Sequence, residues 1–190
     1  MAVRGVVMET PKNLLKGYIG ASIAISRYTI YSDIARGENL IYVSKYFKEV
    51  IENEKKHAEI FANFIRRMDV EPMKIVITAP IKFGSTAKNL RFAVEGEKLE
   101  AEELYPAEIA EKEGFEEVAK RVRTFAEVEK FHQRKFAKLL ELCSKGMKRM
   151  EWLCLMCGYV HREKEPPKVC PNCGAIPFRC KGCFILLGGD

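Results

Sequence analysis

Apolar residues recur at helical spacing in four long stretches of this chain. Residues 11–36 carry Tyr, Ile and Leu on a three- and four-residue beat with few breakers, then stop at Gly37. Residues 38–68 form a second stretch, with Phe47, Val50, Ile51, Phe61, Phe64 and Ile65 on one face. Pro72, Pro80 and Gly84 then break the beat around a β-rich run, Ile75 to Thr78, which reads as a long connection. Ser85 and Thr86 are placed to cap a third helix running to about Glu113, with Pro106 bending it. Gly114 suits the next turn, and a fourth helix follows from about Phe115 to Cys143. Two short turns and one long crossover predict an all-α four-helix bundle of the ferritin-like type.

After residue 150 the pattern changes to Cys, Gly and Pro with short apolar runs. Such a tail is too small to build a core unaided, and a bound metal would hold it together. The expected division is therefore a bundle over 1–146 and a small metal-binding domain over 150–190.

Bulk composition narrows the classes. The chain has 190 residues, of which 47% are hydrophobic, enough for one packed bundle and a small appendage. No stretch approaches the roughly 20 apolar residues of a membrane helix. The first residues carry no apolar run of signal-peptide kind, so a cytoplasmic, membrane-free protein is expected. The formal net charge of +6 is spread along the chain and decides nothing by itself. The basic cluster Lys145 to Arg149 lacks an accompanying aromatic or basic stripe and reads as a solvated linker, not a nucleic-acid site.

Candidate chemistry begins with two E-x-x-H motifs, Glu54-Lys55-Lys56-His57 and Glu129-Lys130-Phe131-His132. Three-residue spacing puts both donors on one helix face, where oxygen and nitrogen converge on one ion. Glu97 and Glu100 repeat that spacing on the third helix. Counted from the turn glycines, Glu97 lies 17 residues before Gly114, Glu129 lies 15 after it, and Glu54 lies 17 after Gly37. At about 1.5 Å per residue the three carboxylates share one level. Buried there, they need a cation to neutralise them. The same symmetry calls for a carboxylate on the first helix near Ser22 or Ala21, and neither residue supplies one.

Six of the seven cysteines form C-x-x-C pairs: Cys154/Cys157, Cys170/Cys173 and Cys180/Cys183. The first two pairs are each followed by glycine and make an S₄ site for iron or zinc. Trp152, Tyr159 and the Cys170-Pro171 start favour iron in a rubredoxin pattern; a structural zinc ribbon is the alternative. Cys180/Cys183 is open between a redox dithiol, a disulfide and a competitor for the metal, with an accessory role favoured. Cys143 reads as a small buried apolar residue, and His161 as a solvated one.

These motifs, together with Ser26-Arg27-Tyr28-Thr29, Glu52 to Ala58, Gly96 to Glu100 and the Trp152 to Cys173 segment, resemble the rubrerythrin family in its own order. The resemblance implies that Glu54 and Glu129 bridge two irons. It makes Glu97 and His132 terminal ligands of one iron, with Glu100 and His57 exchanging on the other. Tyr28 and Tyr105 match family tyrosines near the site, and Cys154, Cys157, Cys170 and Cys173 would hold a single relay iron. The implied activity is an oxidoreductase reducing hydrogen peroxide to water in a homodimer or larger homo-oligomer. Electrons would come from an external donor such as a rubredoxin or an NAD(P)H-dependent reductase. Where the family's first helix has Gly-Glu, this chain has Gly20-Ala21, which also admits an iron-binding or ferroxidase-like role with impaired peroxidase activity. The segment Phe178 to Cys183 is a further departure.

Overall fold

The computed structural model describes residues 8–76, 82–102, 106–144, 152–162, 166–176 and 184–186. The helices are α1 (Thr10–Gly37), α2 (Ile41–Arg67), α3 (Thr86–Glu102), α4 (Ala107–Lys112) and α5 (Glu116–Ser144). α3 and α4 share one arm, so the five helices fill the four positions of a ferritin-like bundle. Among the described residues no helix is long and apolar enough to cross a membrane.

Two junctions differ from the expected ones. Gly37 stays inside α1, and the left-handed residue of the turn is Asn39, at φ 60°. Asn tolerates that region, and the turn closes with Leu40 N–H donating to Ala35 C=O at 2.8 Å. The predicted third helix is not merely bent at Pro106. It is two helices, with Pro106 as the cap residue of α4, since its ring offers no N–H to continue the ladder. Tyr105 lies outside the described residues.

The crossover returns to the bundle through Tyr31, whose hydroxyl donates to Lys82 C=O at 2.7 Å. Capping at the start of α3 comes from elsewhere than Thr86, whose hydroxyl is buried without a partner among the described residues. Glu38 Oε2 instead accepts from the Thr86 amide at 3.0 Å, tying the α1–α2 turn to α3. Ile75 and Val76 lie in no strand, and Val76 is fully exposed.

Two apolar clusters fill the bundle. One gathers Tyr28, Tyr31, Phe47, Leu90 and Phe136; the other gathers Leu14, Phe61, Phe64, Val122 and Phe125. Glu54 and Glu129 each fall, along their own helices, between members of the two clusters, and Glu97 falls between Ala93 on α3 and Ala107 on α4. Ala21 likewise falls between Leu14 and Ala24.

The small domain is a three-stranded antiparallel sheet. β1 (Trp152–Cys154) lies between β2 (Val160–His161) and β3 (Phe184–Leu186). His161 is therefore a half-buried strand residue opposite Trp152 rather than a loop residue in water. Cys143 is free and half-buried against the first apolar cluster. The cluster Lys145 to Arg149 and the pair Cys180/Cys183 lie outside the described residues.

Candidate metal centres

Helical period brings the expected donors together. One ligand atom each from Glu54, Glu97, Glu129 and His132 lies within 4.8 Å of all the others, and all four residues are buried. His132 Nδ1 sits 3.0 Å from Glu129 Oε2 and 3.1 Å from Glu97 Oε2. His57 borders this quartet. Its Nδ1 is 2.9 Å from Glu129 Oε1, close enough for an ion pair but not aligned as a hydrogen bond. Glu100, one turn beyond Glu97, is buried beside the quartet but not a member of it.

The electrostatics are those of anions crowded out of water. Burial raises Glu97 to about 8, opposed by His132. Burial also raises Glu54, and it raises Glu100 well above the usual carboxylate range, reinforced by Glu54, Glu97 and Glu129. Glu129 goes the other way: against the burial penalty, His132 and His57 hold it at about 2. Burial would depress both imidazoles, but their carboxylate neighbours win, placing His57 at about 9 and His132 at about 10.

Three further residues reach the site: Tyr28, which the resemblance placed near it, and Arg27 and Asn53, which no pattern singled out. Tyr28 donates its hydroxyl to Glu97, and the adjacent Arg27 guanidinium lies against Gly96, where no Cβ stands in the way. Arg27 Nη2 also donates to Tyr28 Oη at 3.3 Å. Asn53 Nδ2 reaches His132 Nε2 at 3.0 Å. Arg27 and Asn53 sit inside the quoted motifs, yet nothing in their spacing marks them; only the helix crossings bring them to the site.

Ala21 is fully buried. Tyr28 lies seven residues on, two helical turns along the same face, and reaches Glu97. The first-helix position therefore faces the carboxylate layer and brings no oxygen to it.

The donor set fits iron on an observation independent of the motifs. Among the described residues, both carboxylate oxygens of Glu54 are buried without a hydrogen-bond partner, the nearest imidazole nitrogens standing off at 3.7 Å on His57 and 3.9 Å on His132. An orphaned buried carboxylate is costly unless a cation satisfies it. Oxygen and imidazole nitrogen together suit non-haem iron.

The second centre is equally regular. Cys154 N–H donates to Tyr159 C=O and Gly158 N–H to Cys154 C=O, both at 2.8 Å. Cys170, Ala175 and Gly174 repeat this at 2.8 and 2.9 Å, and each knuckle turns on a left-handed glycine, at φ 75° and 71°. The two knuckles face each other, with Cys154 Sγ 3.8 Å from Cys173 Sγ and Cys157 Sγ 3.6 Å from Cys170 Sγ. Burial pushes the Cys154 thiol up to about 12, whereas Cys157, against its burial, is brought to about 6 by the Asn172 side chain and the Tyr159 backbone. Four sulfurs at one point fit a tetrahedral iron site.

Comparison with known proteins bears on both parts of the chain. A family described as Rubrerythrin matches residues 12–140, and one described as Rubrerythrin, rubredoxin-like domain, matches 152–177. A protein of Methanocaldococcus jannaschii named for this family is 41% identical, covering 87% of this chain and 88% of its own length. The rubrerythrin of Porphyromonas gingivalis is 40% identical over 87% and 85% of the two chains. That of Nitratidesulfovibrio vulgaris is 34% identical over 95% of each. Fully reduced nigerythrin shares the fold, with a TM-score of 0.65 at 22% identity over 96% of this chain and 89% of that one. Because these likenesses run through the helical bundle and the cysteine module alike, the chain belongs to the rubrerythrin family.

Proposed function

We propose that this chain, an oxidoreductase by family, reduces hydrogen peroxide to water at the bundle site and takes its electrons through the cysteine cage. The observation that carries the reading is the convergence of Glu54, Glu97, Glu129 and His132 in a buried layer, bordered by His57 and Glu100. In this reading Glu54 and Glu129 would be ligands shared by two metal ions. Glu97 and His132 would complete the hold on one of them, and Glu100 and His57 would serve the other. Iron held there supplies Lewis acidity and electrons for breaking the O–O bond. Tyr28 keeps its proton, because burial raises it well above the ordinary tyrosine range, and fixes the orientation of Glu97 by donating to it. The apolar clusters on both sides keep bulk water from the layer. Cys154, Cys157, Cys170 and Cys173 would hold the relay iron, with an external donor such as a rubredoxin or an NAD(P)H-dependent reductase as the source of electrons. We take 1–146 as the bundle unit and 150–190 as the relay unit of a homo-oligomer, the usual state in this family.

Ala21 leaves one metal position without a terminal carboxylate. Full occupancy and fast turnover should therefore need more than this chain supplies. Peroxide consumption by the iron-loaded protein is expected to rise in Ala21→Glu, together with metal content per chain. Equal rates and full two-metal occupancy in both proteins would contradict this account of Ala21, and absence of peroxide reduction in both would sink the enzyme reading.

The buried Ala21 favours a second reading, an iron-binding protein that oxidises or stores iron without efficient peroxide turnover. Oxidation of ferrous iron without peroxide consumption, or uptake beyond the stoichiometric sites, would select it.

A further inference from the structure

Lys135 is a buried ammonium that neither metal-centre assignment uses. It lies on α5 one turn beyond His132, and its Nζ donates across the domain boundary to Cys154 C=O at 3.2 Å. Its Nζ also lies 5.3 Å from the centroid of Phe131. Burial lowers its pKa below the ordinary lysine value, opposed by the field of Cys154, Cys157 and Cys173 and by Glu49 on α2.

The surroundings make this a built contact. Leu153, Leu155 and Val160 of the small domain pack on the first apolar cluster of the bundle. A Cβ on Gly158 would stand 3.7 Å from Lys138 Cγ, so the knuckle rides directly on α5. Cys154 and Lys135 thus join the cage to the helix that carries Glu129 and His132.

We infer that Lys135 is a positioning residue of the electron relay: its ammonium pins the Cys154 knuckle to α5 and biases the cage toward its reduced, more negative state. The inference rests on iron occupying the four-cysteine cage. One electron from the external donor takes ferric iron among four thiolates from a net single to a net double negative charge. A fixed cation beside the cage stabilises the second state more, and net charge is among the factors that set such potentials.

The test is a spectroelectrochemical titration of the iron-loaded full chain, following the visible thiolate-to-iron absorption. Lys135→Met should make the one-electron reduction at least tenfold less favourable, a midpoint lowered by about 59 mV. Lys135→Arg, which keeps the charge, should stay near the parent value. If Lys135→Met fails to assemble the coloured site, Lys135→Gln carries the same expectation. An unmoved midpoint in the charge-removing variant overturns the inference, and so does a fall in Lys135→Arg as large as in Lys135→Met. A parent protein without the visible band overturns the iron-cage assignment itself, which the midpoint shifts do not address.

Discussion

Asn53 on α2 and His132 on α5 face each other across the bundle, with Asn53 Nδ2 3.0 Å from His132 Nε2. The contact governs which ring nitrogen is free. When the ring is neutral, Nε2 can accept from the amide while the proton sits on Nδ1, between Glu97 and Glu129. For Nδ1 to bind metal, Nε2 must carry the proton, and a half-turn of the amide then presents Oδ1 to accept it. Asn53 can serve both states of the ring.

Asn53→Leu should therefore lower metal affinity at the bundle site by about 10- to 100-fold, the usual effect of removing a group that orients a ligand imidazole. Asn53→Asp, which still accepts from Nε2–H, should lose far less. Competition with a chelator of known affinity measures both. Equal affinities in all three proteins would remove Asn53 from the site.

In the metal-free protein, His57 at about 9 and His132 at about 10 lie above their ordinary 6.5. Their stabilisation is complete below about pH 6.5 and is lost as pH rises through 9 to 10. Glu97, raised from 4.5 to about 8, binds a proton in the folded state that the unfolded chain has released, so its contribution is lost as pH rises from 4.5 through 8. Glu129, held at about 2, works oppositely and loses its contribution as pH falls from 4.5 through 2. Melting temperature of the metal-free chain should consequently be higher near pH 6 than near pH 9.5. A flat or rising profile would contradict these assignments. Metal loading at neutral pH should release protons, detectable by calorimetry in buffers of different ionisation enthalpy.

Gly17 lies where α1 crosses the Phe61 ring. A Cβ there would stand 2.7 Å from Phe61 Cζ and 2.9 Å from both Cε atoms. Phe61 is itself buried edge-on against Phe125, at 5.2 Å between centroids. Gly17→Ala should cost about 1–3 kcal/mol by overpacking, read by denaturant unfolding. Phe61→Leu in the same chain should recover part of that loss.

Stripping metal from the cysteine cage should unfold the small domain and spare the bundle. The described core of that domain is Cys154, Cys170 and Phe184 with a few partly buried neighbours, too little to stand without the metal. Trp152 on β1 is the only tryptophan of the chain, so its fluorescence reports this domain alone. A strong chelator should shift that emission toward its exposed value while far-ultraviolet helical ellipticity persists. Loss of both signals together would show that the two parts fold as one unit.

The long helices, the Glu54, Glu97, Glu129 and His132 quartet and the four-sulfur cage were legible in the chain itself, for reasons visible in particular residues. Glu54 and His57, or Glu129 and His132, need only helical pitch to share a face, and pitch is a property of the local chain. The knuckles at Cys154 and Cys170 are local too, each closing on its own glycine. Less was legible where two local signals competed. Gly37 looked like the break, but the chain had Asn39 to take the left-handed turn. Pro106 looked like a bend, and its missing N–H instead divides α3 from α4.

Sequence alone determined that three helices would bring acids and imidazoles to one level, that α1 would bring none at Ala21, and that four sulfurs would meet in the tail. Each of these follows from period and spacing within a short segment. Tertiary structure decided which groups face one another across segments: Asn53 on His132, Tyr28 on Glu97, His57 on Glu129, and Lys135 on the Cys154 carbonyl. Those pairings depend on how helices and domains cross. Crossing is set by the packing of whole faces, a property that no single stretch of the chain contains.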